Sequence, residues 1–254
     1  MKNIKYLDLS SFDTKNVTDM KFIFNHFFEL KNLNIFTFNT EKVTNMKFMF
    51  NECKNLKKID LSSFNTENLT NMEEMFQYCE SLISLDLSSF YTQNVTSMKN
   101  IFNDCVNLKD LNISSFTTQN FTDLSGMFEK CENLNNIDIS SFDTQKAVNM
   151  RCMFHLWKSL NNLNLSSFKT SNVTTMEAMC AKCEKLSNLD LSSFNTKNVT
   201  NMADMFNGCK ALTNLNISSF DTQNVTNVFG LFNQCDQKIV DSNILILQRF
   251  DYND

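Results

Sequence analysis

The feature that most constrains this sequence is a period of 26 residues that never slips. A phenylalanine recurs at Phe12, Phe38, Phe64, Phe90, Phe116, Phe142, Phe168, Phe194 and Phe220, and a threonine follows two places later from Thr14 to Thr222. The unit reads L-x-x-L-D-L-S-S-F-x-T-x-N-V-T-x-M-x-x-M-F-x-x-C-x-x. Nine copies run from Ile4 to Gln237 without insertion or deletion. A fixed period of this size means one supersecondary unit stacked on copies of itself. Such arrays are held by contacts between neighbouring units, not by one central core. The chain is therefore read as a single solenoid over residues 1–237. Residues 238–254 form a C-terminal partial cap or tail, in which Ile244, Leu245, Ile246 and Leu247 cover the last coil.

Each unit changes period halfway. In the third copy Leu56, Ile59 and Leu61 carry apolar side chains while Asp60 between them is polar, an alternation that reads as a short strand. Stacked copies of that strand would pair in parallel at a spacing of about 4.8 Å. Downstream, Met72, Met75, Phe76, Cys79 and Leu82 fall at i, i+3, i+4, i+7 and i+10, the spacing of one helical face. Thr70 with Glu73, and Thr174 with Glu177, read as capping boxes that start such a helix. The piece between, with Phe64 turned inward, is read as a turn in which Thr66 and Asn68 bond nearby backbone. The expected fold is α/β, nine coils each with a short parallel strand on a concave face and a short helix on a convex face.

Composition removes several function classes. The net charge is −5, and arginine occurs only as Arg151 and Arg249, so no basic stripe exists to neutralise phosphates. Nucleic acid is not expected as a partner. There is no proline, and the glycines are only Gly126, Gly208 and Gly230, which rules out a glycine-rich phosphate loop. No apolar run approaches the ~20 residues that span a bilayer. The N-terminus shows no charged segment followed by an apolar one, as a signal peptide would.

The run LDLSSFxTxNVTxMxxMFxxCxxL, repeated over nine copies, resembles the BspA-like leucine-rich-repeat surface proteins of bacteria. The resemblance implies a leucine-rich-repeat-like solenoid displayed at a cell surface or secreted, and linked to adhesion to host or neighbouring-cell proteins. Without a visible signal peptide, a cytoplasmic location stays open.

The outward strand column is the best candidate for partner binding: Asp60, Asp86, Asn112, Asp138, Asn164 and Asp190. The alternative is a plain solvated face. Adjacent Asp60 and Asp86 would repel unless a cation or a lysine such as Lys58 lies between them. Trp157 breaks the cysteine column in the sixth copy and reads either as an interface hot spot or as local repacking.

Seven cysteines share one column from Cys53 to Cys235, with Cys152 and Cys180 outside it. At the 8–10 Å spacing of packed helices, neighbours in that column cannot be bridged. They are expected to be reduced core residues. Cys180 and Cys183 look like a metal or redox pair, yet Cys180 merely replaces the phenylalanine found at Phe76, Phe128 and Phe206. His26 and His155 sit at a variable column, expected to be exposed, with no catalytic constellation around them. No catalytic, cofactor or metal residue is assigned. The expected function is a non-enzymatic protein-binding surface. An intracellular interaction scaffold is the alternative, and a thiol-dependent enzyme the remote one. The first coil shows no comparable cap, which suggests either a truncated array or an edge available for self-association.

Overall fold

The computed structural model describes residues 3–243. The polypeptide winds into nine in-register coils, each of the first eight hydrogen-bonded to the coil 26 residues on. The strand segments are β1 (Tyr6–Asp8), β2 (Asn32–Asn34), β3 (Ser84–Asp86), β4 (Asp110–Asn112), β5 (Asn188–Asp190) and β6 (Asn214–Asn216). They pair in parallel as β1–β2, β3–β4 and β5–β6, with Leu7 opposite Leu33, Leu85 opposite Leu111 and Leu189 opposite Leu215. The expected single sheet of nine strands is thus three separate pairs. The equivalent segments 58–60, 136–138 and 162–164 carry no strand.

A second ladder runs where no strand was expected. Single parallel bridges join Asp19 to Asn45 and Asn45 to Asn71, then continue from Ser97 through Asp123, Asn149, Thr175 and Asn201 to Asn227. In all nine coils the side chain of this column accepts the amide two residues on. Examples are Asn71 from Glu73 at 3.1 Å and Asp123 from Ser125 at 2.9 Å. Such short polar side chains pin a sharp turn against their own backbone.

The expected helix is absent from the repeats. In the third coil the amides of Glu74, Phe76 and Tyr78 donate to Lys99, Ile101 and Asn103 of the next coil, at 3.0, 3.1 and 2.8 Å. The amides between them close turns inside the coil, Met75 to Met72, Gln77 to Glu74 and Cys79 to Phe76. An α-helix needs every amide to reach back four residues. Here every second amide is already committed to the neighbouring coil. Glu74 and Tyr78 take positive φ, 56° and 59°, as the third residue of a type II turn must. Two successive turns advance the chain four residues, so the buried positions repeat at the same spacing as a helical face.

The capping boxes dissolve with the helix. Thr70 donates its hydroxyl to Thr44 O in the preceding coil at 3.0 Å, and Thr174 to Val148 O at 3.2 Å. Glu73 pairs with Lys47, and Glu177 with Arg151 at 3.0 Å. All of these partners lie one coil away.

Two phenylalanine stacks form the core. Phe64 lies on Phe90 at 6.3 Å, and Phe142 on Phe168 on Phe194 at 6.5 Å each. On the turn side Phe24, Phe50, Phe76, Phe102, Phe128 and Phe154 stack at 5.5–6.1 Å. Cys180 fills the next place before Phe206 and Phe232 resume. Each buried ring contributes about 1.5–3 kcal/mol by leaving water.

The unchanging threonine explains itself. Thr92 is fully buried; its hydroxyl donates to Thr117 O at 3.0 Å and accepts from Thr117 N–H at 2.9 Å. Thr118, Thr144, Thr170 and Thr196 make the same pair of hydrogen bonds to the residue 25 places on. One side chain thereby satisfies a donor and an acceptor of the adjoining coil. Asn68 likewise reaches back to Glu41 O at 2.8 Å. Both residues bond between coils and not within their own turn as expected.

Past the last coil, α1 (Gln237–Ser242) starts at Asp236, whose side chain accepts Lys238 N–H, and buries Ile239. The segment Ile244–Leu247 expected as a cap lies outside the described residues. No helix among the described residues is long and apolar enough to cross a membrane.

Candidate functional site

The Asp/Asn column lies along the strand side, and its exposed members are anchored. Oδ1 of Asp60 accepts Ser62 N–H at 3.0 Å, that of Asp86 accepts Ser88 N–H at 2.9 Å, and that of Asn112 accepts Ser114 N–H at 3.2 Å. Asp138, Asn164 and Asp190 repeat the bond to Ser140, Ser166 and Ser192 at 2.9–3.1 Å. One oxygen of each side chain therefore shapes the turn that ends the strand segment. All six side chains stay exposed to solvent.

Bonds from Ser62 hold the Asp60 carboxyl below its ordinary value, and those from Ser88, Ser140 and Ser192 do the same for Asp86, Asp138 and Asp190. No lysine is paired with Asp60 or Asp86 among the described ion pairs. Each of the two carboxylates is held instead by the amide and hydroxyl donors of its own turn, Ser62 for Asp60 and Ser88 for Asp86.

Two shallow depressions open along this column. One, of about 420 Å³, is bounded by Ser84, Asp86, Asp110, Asn112 and Asn136. The other, of about 340 Å³, lies between Asn32, Lys58, Asp60, Ser84 and Asp86. Each includes a boundary where strand pairing is interrupted, so the breaks in the sheet give this face its relief. Ser84 and Asp86 border both.

The remaining sequence candidates fall elsewhere. Trp157 is fully buried, donates its indole N–H to Leu134 O, and packs on Phe128 and Phe154 at 5.6 and 6.0 Å. It fills the cysteine column from within, as local repacking requires, and presents no ring to a partner. Cys180 and Cys183 are both fully buried; burial pushes the Cys180 thiol up to about 12. A reactive cysteine needs the opposite, an exposed site that favours the thiolate.

The cysteine column consists of free thiols. The reason differs from the one the sequence suggested, because the coils stack at the distance of a β-ladder and not of packed helices. Each thiol donates instead to the carbonyl 29 residues back, Cys79 to Phe50 O at 3.2 Å and Cys105 to Phe76 O at 3.2 Å.

His26 is exposed and faces Glu52 at 3.2 Å, but His155 is only one-fifth exposed. The two do not share a column, as the sequence reading had it. His155 ends a ladder of polar side chains that it did not anticipate. Asn51 Nδ2 donates to Gln77 Oε1 at 3.0 Å and Gln77 Nε2 to Asn103 Oδ1 at 3.5 Å. Asn103 Nδ2 donates to Glu129 Oε2 at 2.7 Å, and Glu129 Oε1 meets His155 Nδ1 at 2.9 Å. Asn51, Gln77 and Asn103 are buried. The signal was present as a column that stays polar through Asn51, Gln77, Asn103, Glu129 and His155 beside an apolar one.

The model of the DUF285 family, described as a Mycoplasma protein of unknown function, matches residues 1–111, 82–187 and 158–244. Among solved structures, a leucine-rich repeat protein from Bacteroides ovatus ATCC 8483 is similar at 14% identity with a TM-score of 0.31. The alignment covers 91% of this chain and 80% of that one. The TLR13–ssRNA13 complex is similar at 16% identity with a TM-score of 0.26, over 83% of this chain and 32% of that chain. No curated protein matches.

Proposed function

This chain belongs to the DUF285 family, and on that premise we propose that it is a non-enzymatic repeat protein whose strand-side Asp/Asn column binds another protein. The observation that carries the reading is the anchored, exposed row of Asp60, Asp86, Asn112, Asp138, Asn164 and Asp190 beside two depressions. Side chains already pinned by their own backbone lose little freedom when a partner docks, which favours recognition. A periodic row of acceptors suits an extended partner with donors at matching intervals. The BspA-like resemblance supports display at the cell surface and adhesion to a host or neighbouring cell. Edge-to-edge self-association belongs to the same proposal, since Tyr6 and Phe12 of the first coil are more than half exposed.

The test uses beads coated with the purified chain and cultured animal cells. Ser84→Tyr fills the junction between the depressions, and an Asp60→Asn/Asp86→Asn/Asp138→Asn triple removes charge while keeping the oxygen that accepts the serine amide. Retention reduced severalfold by both variants is the expected result. Wild-type retention in both sinks the site.

The second reading, an intracellular scaffold, is favoured by the nine free thiols, since reducing compartments keep cysteines unpaired. Protease shaving of intact source cells separates the two. Loss of the chain while a cytosolic control survives supports display, and protection until lysis supports the scaffold.

A further inference from the structure

The sixth coil departs from the repeat at neighbouring positions, and the departures converge on one cluster. Where other coils carry Glu74, Asn100, Gly126, Ala178 or Asp204, this coil has Cys152. Where they carry amides such as Asn103, it has His155, directly beside Glu129 of the fifth coil. The thiol, the imidazole and the carboxylate place a ligand atom each within 4.8 Å of one another. Among the described residues no other three such side chains gather in this way. Unlike the ladder thiols, Cys152 donates to no carbonyl among the described residues. It sits 8% exposed, at the edge of the core and not inside it.

We propose that Glu129, Cys152 and His155 form a zinc-class metal site that clasps the fifth coil to the sixth, with water in the fourth position. Zinc takes thiolate sulfur, imidazole nitrogen and carboxylate oxygen at about 2.0–2.3 Å in a tetrahedron. Those bond lengths put ligand atoms roughly 3.3–3.6 Å apart. The 2.9 Å contact between Nδ1 and Oε1 therefore opens slightly, and the longer separations close by about 1 Å through side-chain rotation.

On binding, Zn²⁺ displaces the thiol proton of Cys152 to solvent. His155 supplies the lone pair of a neutral ring nitrogen, and Glu129 one carboxylate oxygen. The ion, thiolate and carboxylate sum to zero charge. Arg151, next to Cys152 in sequence, is turned to Glu177 at 3.0 Å. Asn103 holds the second oxygen of Glu129 at 2.7 Å, the kind of outer contact that orients a metal ligand. The thiolate selects against calcium and magnesium, which want oxygen alone.

The experiment is titration of the purified chain with Co²⁺, kept reduced by a phosphine, following thiolate-to-cobalt charge-transfer absorption, then back-titration with Zn²⁺. One cobalt per chain with a thiolate band is expected. Cys152→Gly and His155→Asn use residues that neighbouring coils already carry in these columns, so each variant keeps the far-ultraviolet spectrum of the fold. Cys152→Gly abolishes the band, and His155→Asn weakens binding by roughly tenfold or more. Cys180→Phe, which completes the phenylalanine column, leaves the band intact. Absence of a thiolate band in the wild type, its survival in Cys152→Gly, or unchanged affinity in His155→Asn overturns the site.

Discussion

The two halves of each coil solve one problem differently. The strand half pairs only in twos, with segments 58–60, 136–138 and 162–164 left out of any sheet. The turn half, which contains no strand and no helix, is bonded from coil to coil from Phe24–Met49 to Phe206–Leu231. Regular secondary structure is therefore a poor guide to where this molecule coheres. Cohesion follows how many backbone groups find a partner in the next coil, and in the turn half every second amide does.

Hydrogen exchange tests that difference most strongly. The amides of Phe76, Phe102 and Phe128 donate to the next coil deep in the core and should exchange only when coils separate. Amides in the unpaired segments 58–60, 136–138 and 162–164 should exchange roughly a hundredfold or more faster. Equal protection in both halves would break the comparison.

A smaller effect concerns the strain that the turn half carries. Glu74 holds a positive φ that favours glycine by about 1 kcal/mol or more, and Gly126 and Gly230 hold the same column without strain. Glu74→Gly should raise the unfolding free energy, read from a denaturant titration, by an amount of order 1 kcal/mol, offset in part by the added freedom of the unfolded chain. A loss of stability would show that the carboxylate of Glu74 has a role the backbone geometry hides.

The smallest effect belongs to the strand half. Asp86→Asn keeps the oxygen that accepts Ser88 N–H, so stability at pH 7 should be unchanged. Bonds from Ser88 hold the Asp86 carboxyl below its ordinary value in the folded chain, so its contribution is complete above that ordinary value. As pH falls through the folded value the carboxyl protonates, and that stability is lost. Below about pH 4 the wild type should therefore weaken slightly more than Asp86→Asn in an acid unfolding series. Parallel curves would remove the carboxylate from the turn's stability.

Much of this was legible beforehand. The period and the phenylalanine and leucine columns follow from side chains that recur without slippage, while the free cysteines were foreseen on a helix spacing that the coils do not have. The helix was not legible, because Met72, Met75, Phe76 and Cys79 are buried at the same intervals whether the backbone spirals or turns twice. One clue did discriminate: Gly126, Gly208 and Gly230, the chain's three glycines, all stand where φ is positive. Repeated glycine in a helix interior weakens it, whereas in a turn it relieves strain. The Asp/Asn column showed a surface but not its anchoring, since a side chain accepting its own backbone amide leaves no mark in residue type. The pairing of Glu129 with His155 was legible, one period apart in a polar column, but the approach of Cys152 to them was not, because the direction of a side chain at a turn position leaves no mark in residue type.

The threonine clamp has a consequence for how such a chain changes in length. Thr92 fits Thr117 because every coil presents the same donor and acceptor at the same place. A deletion of one residue would throw all later coils out of step, while removal of one whole unit would rejoin matching surfaces. The fold therefore tolerates shortening or lengthening in whole units, and the chain acts as a ruler whose graduations are individual coils.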